Sequence, residues 1–335
     1  MVSVSFLIVP RQRPIIDDNH EAPLVQILTW LMLSFSILAV AAHLITKRAL
    51  GRKLGSSDAI IFAALVLAIG QAAALLSPDG QAIGNTQEQI SGEDFDRALK
   101  VLYSAEMLHI LTLVVAKISL LVALCAITPI TEHRFAIYSA SIVIVIWGIT
   151  SVFIVAFQCP APQQWNVFNQ GCTDIRSSRT YIAVMDIVTD FCLMVVPSFI
   201  IMPVRMSWRK RFTILSGFWF RITTIAVAIV QLIYLRRLRF DIHFLNNLWR
   251  PVACQQIIQT LSIMSTCIPF LKPFWASLES GFLRADDLNR RTAGGTSSSA
   301  LNSSGWTSRY IKIKNYQNWV PSIELQSSAT RQEHN

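Results

Sequence analysis

The sequence predicts an all-α integral membrane protein: a bundle of seven transmembrane helices with its N-terminus outside and its C-terminus in the cytoplasm. Three observations carry this. Of the 335 residues, 53% are apolar and 15% charged, where a soluble domain is about a quarter charged. The apolar residues fall in blocks of about twenty, the length at which a helix crosses a bilayer. The longest blocks, such as 141–157, are apolar on every face, which excludes the alternating pattern of a transmembrane barrel. A cytosolic enzyme, a secreted disulfide scaffold and a mainly disordered chain are excluded with them.

The spans read, in order, as 24–46, 59–76, 101–127, 135–157, 180–204, 212–235 and 251–275. Asp17, Asp18 and Glu21 precede the first span with only Arg11 and Arg13, whereas Lys47, Arg48, Arg52 and Lys53 follow it. Basic residues stay on the cytoplasmic side, so residues 1–23 lie outside or in a lumen. The acidic second connection, with Asp79, Glu88, Glu93, Asp94 and Asp96, then falls outside, and Arg205, Arg209, Lys210 and Arg211 fall inside. Arg236, Arg237 and Arg239 run against this order, but the first loop usually dominates. Residues 2–10 lack the basic start and small-residue cleavage site of a signal peptide, so span one reads as an uncleaved anchor.

The transmembrane domain is 24–275. From 276 to 335 the chain turns to Ser, Thr, Asn and Gly, a composition that buries too little apolar surface to fold. It reads as a flexible cytoplasmic tail, whose Asn302-Ser303-Ser304 sequon should carry no sugar. The formal charge of +9 sits at the ends of spans, so its partner is the lipid bilayer and its headgroups rather than nucleic acid. The expected location is the plasma membrane or an endomembrane.

Of six cysteines, Cys159 and Cys172 lie between spans four and five, on the side where disulfides persist. They are expected to pair, closing a loop for about 3 kcal/mol on the chain-entropy account and holding Trp165 over the bundle mouth. Cys125, Cys192, Cys254 and Cys267 lie in apolar helix and read as small core residues. No spacing resembles a zinc site, and neither metal nor cofactor is implied.

Several motifs, taken together, resemble the fungal rhodopsin-domain family, which includes satratoxin-cluster-like membrane proteins. They are Phe157-Gln158-Cys159-Pro160 with Trp165 and Cys172, the turn from Arg48 and Arg52 into Asp58, Lys117-x-Ser119, Asp190 with Pro197, and Cys267 to Phe274 followed by Leu278-Glu279-Ser280-Gly281. The likeness spans roughly 24–287. It implies seven helices, some relatives beside secondary-metabolite gene clusters and others similar to receptor-like proteins. Ser57, Asp186 and Gln231 stand where the family often has Asp, Asn and Arg.

An ionisable group at the bilayer centre costs roughly 2.5–3.5 kcal/mol on insertion scales, so each needs a partner, a cavity or a route to the interface. Glu106 and Lys117 in span three, Asp186 and Asp190 in span five and Arg221 in span six face this demand. At about 1.5 Å per residue, Lys117, Asp190 and Arg221 reach similar mid-membrane depth. Asp186 and Asp190 share a face four residues apart, and Glu106 aligns with Lys117 three turns on. With His109, Gln255 and Gln259 they form a candidate small-molecule pocket open to the outside. The competing reading is that the charges only tie helices together, with Lys117 on Asp190 and Arg221 on another acid.

A retinal Schiff base would need a mid-helix lysine in span seven, and the one candidate, Lys272, sits beside Pro273 near the inner end. Span three lacks the acidic-Arg-Tyr ending of mainstream G-protein-coupled receptors. The expected function is a receptor-like sensor of a small molecule without retinal, signalling through a cytoplasmic partner on the tail. The alternatives are an intramembrane enzyme or accessory protein acting on a lipophilic metabolite, with no motif that demands catalysis, and a transporter.

Overall fold

The structure, a computed structural model, describes residues 22–49, 51, 54–83, 92–128, 131–168, 171–202, 208–237 and 244–268. The N-terminal segment, Arg52, Lys53, Lys272 and the tail lie outside these residues. The helices are α1 (Ala22–Ala49), α2 (Ser56–Leu76), α3 (Gly92–Ile127), α4 (Thr131–Ala156), α5 (Ile175–Ile201), α6 (Trp208–Trp219), α7 (Arg221–Arg237), α8 (Phe244–Asn247) and α9 (249–268). Among the described residues six stretches, the last being Leu215–Arg237 across α6 and α7, are long and apolar enough to cross a membrane; the expected seventh span, 251–275, lies only partly within them. The chain is a multi-pass membrane protein.

Two differences from the sequence reading are the largest. α3 begins at Gly92 rather than 101, because its polar first turns are good helix: Glu93 and Asp94 favour the N-terminal dipole, and Asp96 pairs with Lys100 one turn on (2.8 Å). The sixth span is not one helix. It breaks at Phe220, whose carbonyl accepts from the backbone N–H and the hydroxyl of Thr223 (3.1 and 2.7 Å). The tight step follows Ser216-Gly217, a pair that lets a helix bend, and it starts α7 at Arg221.

α3 is the axial helix: 61% of its apolar window is buried, against 22–39% for the other spans. α2 lies along it on a stripe of small buried residues, Ala64, Ala68 and Ala72, which allows the close approach that membrane helices use in place of a hydrophobic drive. α4 shows lipid-facing logic plainly. Ile137, Ala140, Ile144, Trp147 and Ser151 are buried at helical spacing, while Phe135, Ile142, Ile146 and Phe153 on the far side are exposed and apolar. Apolar residues outside as well as inside mean that the surrounding solvent is hydrocarbon.

Gly148 on α4 faces α3 so closely that a Cβ there would lie 2.5 Å from Val114 Cγ2. Gly148→Ala is therefore expected to lower stability by about 1–3 kcal/mol through overpacking, read as a lower unfolding midpoint in detergent. A midpoint equal to that of the wild type would refute the tight α3–α4 contact.

The connection from α4 to α5 folds over one end of the bundle. Cys159 and Cys172 are bonded (Cα–Cα 4.2 Å). Trp165 donates from Nε1 to Asp96 Oδ1 (2.6 Å), and the Lys100 ammonium lies 4.6 Å from the Trp165 ring centre. Phe168 packs on Phe95 and edge-on against Phe244. Asp174 caps α5, accepting from Arg176 N (3.2 Å) and from the Ser177 hydroxyl (2.6 Å). That hydroxyl holds the Asp174 carboxyl below its ordinary value of 3.8.

Candidate functional site

Lys117 comes from the C-terminal half of α3, Asp186 and Asp190 from successive turns of α5, and Arg221 from the start of α7. All four are buried, Lys117, Asp190 and Arg221 completely. Lys117 Nζ donates to Asp186 Oδ1 (2.6 Å), the Thr189 hydroxyl (2.8 Å) and the Asp186 carbonyl (3.2 Å), and stands 3.1 Å from Asp190 Oδ1. Arg221 Nη1 donates to the same Asp190 Oδ1 (2.5 Å). Two cations and two carboxylates thus neutralise each other across three helices, as charges in a low dielectric must. The Trp147 ring of α4 adds its face 4.8 Å from the ammonium.

Toward the disulfide end lies a narrow cleft of about 30 Å³, room for a water or two. Asp186, bonded to Lys117, forms its floor toward the centre, and Glu106, which accepts from Arg179 Nη2 (2.8 Å), lines it nearer the disulfide end. Leu113 and Ile182 form apolar walls. Gln255 also lines it, as does His109, which donates from Nδ1 to Gln259 Oε1 (3.1 Å). Of the residues that the sequence marks for a pocket, Glu106, His109, Asp186 and Gln255 line the cleft; Gln259 holds His109, and Lys117, Asp190 and Arg221 lie outside its lining, in the charge network that Asp186 joins to it.

Sequence reasoning misses Trp147 and Arg179. Among the described residues, Trp147 Nε1 and Arg179 Nε are buried donors with no acceptor, and both belong to cleft-lining side chains. Buried donors are rarely left so; water or a ligand satisfies them. Below the cleft, Asp190 Oδ2, Arg221 Nε and Nη2 and Thr224 Oγ1 likewise lack partners among the described residues, a polar patch suited to internal water.

A second cluster binds the opposite end. Asp58, at the third position of α2, accepts from Gly55 N (2.6 Å) and pairs with Lys47 (2.5 Å) and His43 (2.9 Å) of α1. It closes the helix start and also fastens α1 to α2. Ser119 of α3 joins it by donating to the Ser57 carbonyl (2.8 Å).

Fold and site together define a polytopic helical membrane protein with a charge-compensated centre. The fungal rhodopsin domain matches residues 42–277, more than half of the chain, and the chain belongs to that family. Comparison with curated proteins and with solved structures gives no match. The family's name implies retinal, and the described residues do not fit it. Lys117, the buried lysine among them, has its ammonium engaged by two carboxylates and a hydroxyl, which leaves it no free amine for a Schiff base.

Proposed function

We propose that the protein is a receptor-like sensor of a small, oxygen-bearing molecule, acting without retinal. On this reading the seven spans expected from the sequence put the N-terminus and cleft outside and residues 276–335 in the cytoplasm, where a signalling partner reads the tail. The observation that carries this reading is the joining of cleft and charge network in one residue. Asp186 is the cleft floor and the first partner of Lys117. A molecule that engages Asp186 changes the pairing that ties α3 to α5, and through Asp190 the pairing of α5 with α7. Binding is thereby coupled to helix position, which is the requirement for a signal.

The ligand class follows from what the walls lack. Trp147 Nε1 and Arg179 Nε are donors only, so the ligand brings acceptors such as a carbonyl, ester or carboxylate oxygen, with an apolar body against Leu113 and Ile182. It enters by widening the cleft between α3 and α5. Commitment of both central carboxylates to Lys117 weighs against their use as a general acid, and so against the enzyme reading.

The test is accessibility. Ala183→Cys, on the cleft wall, should react with a water-soluble, membrane-impermeant thiol reagent from the face opposite the tail, faster than the wild-type background. Trp placed at Ile182 should slow that reaction at least tenfold. Reaction from the tail side alone, or none above background, would overturn the outward cleft. Deleting 283–335 should abolish signalling and leave labelling unchanged.

A further inference from the structure

A second cavity, unrelated to the axial cleft, lies on the lipid-facing side between α3 and α4 at the end away from the disulfide. Its volume is about 270 Å³, large beside the 30 Å³ of the cleft. The buried Leu121 and Ile137 form its apolar floor, with Val122 and Ala126 beside them; Cys125, Tyr138 and Ser141 are polar, and Arg134 is the lining residue nearest the start of α4. From Arg134 to Ser141 of α4 the groove runs roughly 10 Å parallel to the membrane normal.

The polar end is organised. Arg134 donates from Nε to the Thr128 carbonyl at the end of α3 (3.1 Å), which anchors its guanidinium and leaves the Nη donors for another partner. The Cys125 thiol donates to the Tyr138 hydroxyl (3.7 Å), so the phenol O–H is left to donate elsewhere. Arg134 and Tyr138 are exposed. In a bilayer, an exposed apolar trough one helix-pair wide fills with acyl chain, and a fixed cation at its headgroup end selects the charge of the lipid that fills it.

We infer that the α3–α4 groove is a binding site for one anionic glycerophospholipid of the bilayer, with an acyl chain along Val122 and Ala126 over the buried Leu121 and Ile137, and the phosphate on Arg134 and the Tyr138 hydroxyl. The site is independent of the sensor reading and of the orientation proposed above. Its connection to the centre is direct, because Lys117 lies one turn from Leu121 on α3 and Ile137 packs in the same core as Leu193 of α5. The lipid would therefore brace the helix that carries Lys117.

The experiment uses the full chain, purified in detergent and incubated with defined lipids, read by native mass spectrometry and by unfolding midpoint. Phosphatidylglycerol or phosphatidylserine should remain as a single bound molecule and raise the midpoint, with at least tenfold preference over phosphatidylcholine. Arg134→Gln should remove that preference, one charge-assisted contact being worth about tenfold or more, and Arg134→Lys should keep most of it. Val122→Trp, which fills the trough, should abolish retention of either lipid. Each variant is compared at equal monodispersity and with its lipid-free midpoint measured. Equal retention of phosphatidylcholine by the wild type, or anionic preference that survives both Arg134→Gln and Val122→Trp, would overturn the inference. Inorganic phosphate at the same concentration should give no midpoint shift, and a shift equal to that of the lipid would overturn it as well.

Discussion

Asp190→Asn is expected to lower stability by about 3–5 kcal/mol, the effect of removing one member of a buried ion pair. Asp190 Oδ1 receives both Arg221 Nη1 (2.5 Å) and the Lys117 ammonium (3.1 Å). An amide of the same shape offers one acceptor oxygen and no charge, so the centre would hold two cations against one carboxylate. Arg221 is fully buried and starts α7 just past the Phe220 break, so it has no short route to the interface. The measurement is the unfolding midpoint in detergent beside the yield of folded protein. Asp190→Asn combined with Arg221→Gln should recover part of the loss. A single variant within about 0.5 kcal/mol of wild type, the scale of an ordinary surface change, would mean that these charges are compensated elsewhere.

Lys117→Met should be nearly as damaging, by about 3–5 kcal/mol, and for a different reason. Asp190 keeps Arg221, but Asp186 loses the ammonium 2.6 Å away and has no second cation within pairing distance among the described residues. Methionine fills the volume without meeting the carboxylate or the Thr189 hydroxyl. Lys117→Arg should also destabilise, because three donors converge on oxygens of two successive α5 turns and a planar fork cannot reproduce that arrangement. A Lys117→Arg variant with the stability of wild type would refute the need for this compact three-donor geometry. Both variants should speed thiol labelling at Ala183→Cys, since Asp186 is the cleft floor.

Much of this centre is legible in the sequence. Charges inside twenty-residue apolar blocks are too expensive to be incidental, and counting residues from each span end brings Lys117, Asp190 and Arg221 to one depth. The four-residue spacing of Asp186 and Asp190 places both on one face. The partners themselves are not legible, because rotation of each helix about its axis is set by packing and not by depth. Sequence reasoning matches Lys117 with Asp190 and leaves Arg221 for another acid; in the fold Asp186 is the nearer partner of Lys117, and Asp190 is shared. Glu106 aligns with Lys117, yet its partner Arg179 stands just before the fifth apolar block, where a basic residue reads as an interfacial anchor.

Trp147 could not be singled out, since α4 is apolar on all faces and no periodicity separates its inner side from its lipid side. His43 is hidden similarly inside an apolar block, with Asp58 visible only as a helix-start residue. The break at Phe220 has its sequence cue in Ser216-Gly217, but neither residue forces a kink, and the Thr223 hydroxyl that secures it acts only once the turn exists.

A double-mutant cycle across Lys117 and Asp186 tests the central claim that these charges form one coupled unit. Unfolding free energies would be compared for wild type, Lys117→Met, Asp186→Leu and the combined variant. The pairing seen here requires that the double variant be more stable than the sum of the single losses implies, by more than about 1 kcal/mol, because neighbours in one ionic network do not act independently. Losses that add to within about 0.5 kcal/mol, as for distant sites, would contradict it.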